Sequence, residues 1–288
     1  MHIKQLSRLF IGVILVFGLS AVAAAKDTVR IGWTAWSDAE FVTKLAKRVL
    51  EEKMDMKVEL LQTDIAPQYQ GIKSGDIDIM LMSWQPNTHG DYVKKTGHNA
   101  INLGLIYTHA RLGWAVPNYV PKKIKSIADL KDEEAKDALK GTITGIDPGA
   151  GLTRLSKKAI KDYGLSYELQ ISSGAGMTAA LDRAIKRKQW IVVTSWSPHW
   201  MFGKYDLRYL DDPKGVLGNY ERVHAFARKG FYQDNVKAAA FFSRMQLPIG
   251  DLEKAMSDAK ENSYEKAVTN YIENHGQRIR YWLTGEIQ

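Results

Sequence analysis

Cysteine is missing from all 288 residues, and its absence excludes several architectures at once. No disulfide framework can hold the chain, so stability must come from an ordinary packed core. A zinc site built on thiolates is excluded. The seven histidines form neither His-Glu-x-x-His nor any other compact ligand spacing, so neither metal nor cofactor is expected. A lipid attached at a bacterial export cleavage point would need a cysteine there, so the chain is not expected to be a lipoprotein. Long apolar runs are also lacking. The one candidate, Leu9 to Leu19, falls short of the roughly 20 residues a spanning helix needs. Lys4 and Arg8 precede it, and Ala23-Ala24-Ala25 follow just before Lys26-Asp27. That is the pattern of a secretory signal peptide, residues 1–25, cleaved after Ala25. The mature chain is then expected free in the periplasm.

An excess of charge of one sign in any single tract is lacking as well. The formal net charge is +8, but basic residues are scattered among acids, and Lys4 and Arg8 would leave with the signal. Lys186-Arg187-Lys188 sits at a helix C-terminus, where cations suit the dipole. The excess reads as a solvated surface rather than a nucleic-acid footprint, and export argues the same way.

What is present is an alternation of strand and helix patterns. Val29–Gly32, Lys57–Leu61, Ile77–Met82, Arg111–Val116, Thr142–Ile146, Leu169–Ile171 and Trp190–Val193 read as strands. Ser37 with Glu40 reads as a capping box ahead of a helix with Phe41, Leu45 and Val49 on one face, and Ser126 with Asp129 as another. Helices are expected over Ala66–Lys73, Leu152–Tyr163, Met177–Lys188, Asn235–Met245, Asp251–Glu261 and Tyr264–Asn274, the last ending at His275-Gly276. The fold class is α/β with mainly parallel sheets. Pro117-Asn118-Tyr119-Val120-Pro121 is a stiff connector, taken as a first crossover, with a return near Arg222. The expected division is residues 26–117 and 222–288 in one lobe and 118–221 in the other.

One motif occurs twice. Ile77 to Met82 runs into Ser83-Trp84-Gln85-Pro86-Asn87-Thr88-His89, and Trp190 to Val193 into Thr194-Ser195-Trp196-Ser197-Pro198-His199. Open α/β sheets collect ligands at the C-terminal ends of their strands. Two such ends, each with an indole beside a proline turn, suggest lobes facing across a cleft. A third indole, Trp36, stands at another strand-to-helix junction. Electron-rich indole faces attract cations, quaternary ammonium ions above all, at about 0.5–2 kcal/mol each. Gly149-Ala150-Gly151 offers the complement, since a glycine turn opening a helix leaves backbone N–H groups free for an anion. Arg154 stands where a dinucleotide fingerprint needs its third glycine. Together these features suit a small zwitterion with a methylated ammonium. A hydrolase centred on Ser195 or Ser197 with His199 lacks G-x-S-x-G and an orienting acid. His89, His98 and His109 read as structural or exposed.

These segments, with Trp36-Ser37-Asp38-Ala39-Glu40-Phe41, Gly145-Ile146-Asp147-Pro148-Gly149-Ala150-Gly151-Leu152, Trp200-Met201-Phe202 and Tyr205 to Pro213, resemble the glycine betaine/proline betaine-binding proteins of bacterial ABC transporters. The resemblance runs from Val29 to about Trp282. It implies a two-lobe type II periplasmic-binding-protein fold with the ligand cleft between the lobes. It implies a trimethylammonium among Trp36, Trp84 and Trp196, and a carboxylate on the N–H groups of Gly151 and Leu152 and the side chain of His199. It also implies closure without chemistry, an inner-membrane permease as partner, and osmotic protection as the use. A monomer is expected. The third cage wall rests on Trp36, with Trp33, Tyr107 or Trp114 as substitutes. Choline or carnitine receptors share the scaffold, and choline would favour an acid such as Asp38 or Asp147. A secreted enzyme acting on a methylated amine and an aromatic sugar receptor are the rival classes.

Overall fold

The computed structural model describes residues 28–287; the signal peptide expected over residues 1–25 lies outside them. The first half opens with β1 (Thr28–Trp33), α1 (Ser37–Met54), β2 (Lys57–Gln62), α2 (Ile65–Ser74), β3 (Ile79–Gln85) and α3 (Gly90–Thr96). The places of its three strands follow from burial. β3 is buried from Ile79 through Trp84, the unbroken apolar run of a strand covered on both faces. β2 mixes exposed and buried residues because it is the edge. On α1, Phe41, Val42, Leu45, Ala46, Val49 and Leu50 are buried, the three- and four-residue spacing of a helix face laid on a sheet. Asp55 ends the helix in the left-handed region at φ 53°, a conformation aspartate tolerates better than most residues.

β4 (Ala100–Pro117) then runs for 18 residues and carries the chain into the second half. That half holds α4 (Glu133–Ala138), β5 (Thr142–Thr144), α5 (Gly151–Tyr163), β6 (Glu168–Gln170), α6 (Gly174–Lys186), β7 (Val193–Ser197), α7 (Met201–Lys204) and β8 (Leu207–Tyr209). β9 (Glu221–Arg228) returns to the first half. It is followed by α8 (Phe231–Asp234), α9 (Val236–Arg244), α10 (Ile249–Glu261), α11 (Tyr264–Asn274) and α12 (Gly276–Thr284).

The strands line up as β2-β1-β3-β9-β4-β7-β5-β6, with β8 also on β4. β1 is parallel to β2 and β3, and β5 to β6 and β7. The centre is antiparallel, with β9 against β3 and β4 and β4 against β7 and β8. The sheet is therefore mixed rather than mainly parallel, because the two strands that pass between the halves run against their neighbours. From Ala100 to Ala110, β4 pairs with β9; from Arg111 onward it pairs with β7. The change of partner falls inside a strand, upstream of Pro117.

Several local expectations shift. The capping box at Ser37 does not form: Trp36 is the cap, no side chain bonds there, and the Ser37 hydroxyl is buried without a partner among the described residues. Ser126 and Asp129 do form theirs. Trp190–Val193 is not the strand; β7 begins at Val193 and holds Trp196 within it, as β3 holds Trp84. Helix α12 was hidden by His275-Gly276, which read as a stop but begins a new helix.

At one end of the first half, Asp78 ties three strands together. Its buried carboxylate meets Arg30 of β1 at 3.0 Å and Arg228 of β9 at 2.7 Å. Burial alone would raise its pKa; the hydrogen bonds from both guanidinium groups outweigh that and hold it below the usual carboxylate range. Asp78→Ala should lower unfolding free energy by about 3 kcal/mol, since both arginines lose a buried partner. A urea titration followed by circular dichroism reads the loss.

Candidate functional site

A small cavity is lined by residues of both halves of the sheet. Its walls include Trp36 and Trp84 from the first half and Trp196, Gly151 and Leu152 from the second. Five of the six residues expected to bind ligand are thus brought together. Trp36, Trp84 and Trp196 are 8 %, 3 % and 4 % exposed, so their faces are nearly dry. Trp36 and Trp196 stand 6.3 Å apart between ring centres, tilted at 58°. Trp33, Tyr107 and Trp114 are not among the walls. Trp114 is fully buried and donates to the Ser156 hydroxyl at 2.9 Å.

The indole nitrogens are held from across the cleft. Trp36 Nε1–H donates to Asp147 Oδ2 at 2.8 Å, and Trp196 Nε1–H to Asp38 Oδ1 at 3.0 Å. The other oxygen of Asp38 accepts from the Tyr107 hydroxyl at 2.6 Å, and Tyr107 in turn packs edge-on against Trp84 at 6.3 Å and 88°. Asp38 is itself a cavity wall. Its burial pushes the carboxyl pKa up, and the bonds from Tyr107 and Trp196 oppose that only in part.

At the opposite side of the cavity, α5 presents its start. Ala150 caps the helix without a side-chain bond, so the first N–H groups, those of Gly151 and Leu152, belong to the set a helix cannot satisfy internally. The turn before them is fixed by Asp147, whose carbonyl accepts from Ala150 N–H at 3.1 Å and from the Thr153 hydroxyl at 2.7 Å. Gly151 packs against the turn after β3 so closely that a methyl group there would overlap the Thr88 carbonyl. That turn is anchored by Glu221, the first residue of β9, which accepts from the N–H groups of Asn87 and Thr88 at 3.0 Å each and from the Thr88 hydroxyl.

The two motif histidines go different ways. His199 is not among the cavity walls. It lies against Trp196, edge to face at 4.5 Å, and its Nδ1 accepts from Met201 N–H at 3.1 Å. His89, expected to be structural or exposed, is a cavity wall, 1 % exposed and stacked on Trp36 at 6.4 Å and 21°. Its Nδ1 accepts from Trp84 N–H at 3.1 Å, which leaves the proton of the neutral ring on Nε2. That Nε2 is buried with no partner among the described residues. Sequence reasoning also passed over Asp38 and Asp147 as partners of the indoles, and Gly174, whose Cα faces Trp36 and Trp196.

Burial, aided by the charge of Arg154 and opposed by the Met82 carbonyl, holds the pKa of His89 down to about 3; burial and the charge of Lys260 do the same to His199. Both rings are therefore neutral in the folded protein. In the unfolded chain they titrate near 6.5, so the unfolded state binds more protons between about 3 and 6.5. Stability from these two groups is complete above 6.5 and is lost as pH falls. His199→Gln should flatten the decline of unfolding free energy between pH 7 and pH 4.5, by up to about 1.4 kcal/mol per pH unit near the acid end. Gly151→Ala should lower the melting temperature, because the new methyl group meets the Thr88 carbonyl, and weaken ligand binding at least about tenfold, the size of a 1.4 kcal/mol steric cost. Parallel melting curves and calorimetric titrations check both.

Residues 27–274 match the family described as the substrate binding domain of ABC-type glycine betaine transport systems. A glycine betaine/carnitine transport binding protein of Listeria monocytogenes is 38% identical over 197 residues, 67% of this chain and 62% of that protein. The match thus spans less than two thirds of that relative's length. The closed crystal structure of a lactococcal protein complexed with glycine betaine superposes with a TM-score of 0.82 at 33% identity, covering 90% of this chain and all of that one. An ABC-transporter choline binding protein in complex with choline gives 0.81 at 25% identity, over 90% of this chain and 92% of that one.

Proposed function

The chain belongs to the family of substrate-binding domains of ABC-type glycine betaine transport systems, and from that premise we propose that its cavity binds glycine betaine or a close quaternary ammonium solute. The observation that carries the reading is the convergence of Trp36, Trp84 and Trp196 with the open end of α5 on one dry cavity. A trimethylammonium has no N–H to donate and carries a permanent charge, so ring faces suit it, at about 0.5–2 kcal/mol each. Three such contacts supply a large part of the roughly 8 kcal/mol of a micromolar complex. The solute's carboxylate lies at the start of α5, on the N–H groups of Gly151 and Leu152, and takes the third hydrogen bond from His89 Nε2–H. His199, behind Trp196, serves as that ring's support rather than as a ligand.

The bound solute is carried unchanged to an inner-membrane permease, and the protein acts as a monomeric receptor in the periplasm after loss of its signal peptide. Among the described residues no helix is long and apolar enough to cross a membrane. The moving bodies are the two halves joined by β4 and by the approach to β9. A choline-first reading is favoured by one feature, the acid Asp38 in the cavity wall, but choline leaves the start of α5 and His89 without a carboxylate.

Titration of wild-type protein with glycine betaine, proline betaine, carnitine and choline by calorimetry tests the reading, with product analysis of each mixture for turnover. Glycine betaine should bind most tightly and emerge unaltered. His89→Ala should cost glycine betaine about 10- to 100-fold, the range for a hydrogen bond to a charged group, and choline less than about threefold. Equal losses for the two ligands would remove the carboxylate from His89.

A further inference from the structure

The acids that hold the cage indoles sit on the wrong side of the cleft for simple packing. Trp36 precedes α1 in the first half, but its N–H goes to Asp147 of the second; Trp196 is on β7 in the second half, but its N–H goes to Asp38 of the first. The two bonds cross. We infer that Asp38 and Asp147 are positioning residues that tie assembly of the aromatic cage to closure of the cleft, so that the rings reach their working orientation only when the halves meet. The inference rests on the reading of this cavity as the solute site.

Three further observations carry it. Asp147 also fixes the turn that opens α5 through its carbonyl, so one residue sets both a ring and the anion-facing backbone. Asp38 reaches two walls, Trp196 directly and Trp84 through Tyr107. The same seam is closed by Tyr92, whose hydroxyl donates to the Gly149 carbonyl at 2.8 Å, and by Arg154, which donates to the carbonyls of Asn87 and Thr88 at 3.0 and 3.2 Å. An indole whose N–H is left in a shut, dry cleft without an acceptor is penalised. Opening the cleft gives those N–H groups to water and frees the rings to rotate. The bonds therefore favour the shut state and the cage geometry together, and their loss should shorten the life of the complex more than it slows its formation.

The test uses stopped-flow tryptophan fluorescence on the full mature chain with glycine betaine. Asp147 is partly exposed, so Asp147→Ala should fold, and a melting curve confirms it. Its dissociation rate should rise about tenfold, the size of one lost hydrogen bond to a charged group, with association changed less than about twofold. Asp147→Asn keeps an oxygen that accepts from Trp36 and should restore most of the lifetime. Trp36→Phe keeps a ring face without an N–H, and combining it with Asp147→Ala should add little to either single change. If the two losses multiply in the double variant, or Asp147→Ala dissociates at the wild-type rate, the inference fails while the functional reading stands. If wild-type protein binds none of the four solutes, the functional reading fails and takes this inference with it.

Discussion

A buried indole must give its N–H to an acceptor and still leave a face open, and the cleft of this protein is arranged around that double demand. Trp36 and Trp196 meet it by bonding to carboxylates of the opposite half. The nitrogen points into the seam and the ring wall remains turned to the cavity. Burial raises the pKa of Asp38, which means its charge is costly, and the two hydrogen bonds it accepts offset part of that cost. The same acid orients Tyr107, and Tyr107 supports Trp84. Two walls, Trp196 and Trp84, are thus coupled through two side chains.

The opposite pole of the cavity depends on backbone rather than side chains. The start of α5 can face the cavity only because Gly151 lacks a Cβ, since Thr88 occupies the space. Glu221 keeps that Thr88 turn in place from the first residue of β9. One wall of the pocket is therefore set by the strand on which the chain returns to the first half, and the geometry of the site is built into the connectivity of the sheet.

Much of this is legible in the residues alone. Strand ends carrying Ser-Trp-x-Pro announce themselves because an apolar run is broken by an indole and a proline, and the glycine turn before α5 is equally plain. The choice between the two histidines is not. His199 follows its tryptophan by three residues and His89 by five; the shorter spacing folds the ring back beneath Trp196, while the longer one carries it around the turn into the cavity. No local pattern distinguishes those outcomes, because they depend on which half faces the ring. Asp38 was hidden for a similar reason. Two residues past Trp36, it suits the first turn of a helix, and its partners lie 69 and 158 positions away. The mixed sheet escaped notice because β4 and β9 resemble any other strand in sequence; their direction is a property of the whole path.

That path has a mechanical consequence. β4 changes partner between Ala110 and Arg111, and its register against β9 slips between Tyr107 and Ala110, with His109 at φ 61°. The same ladder is interrupted twice more, between Asn102 and Gly104 and between Leu105 and Tyr107, so fewer hydrogen bonds there resist a twist of one half against the other.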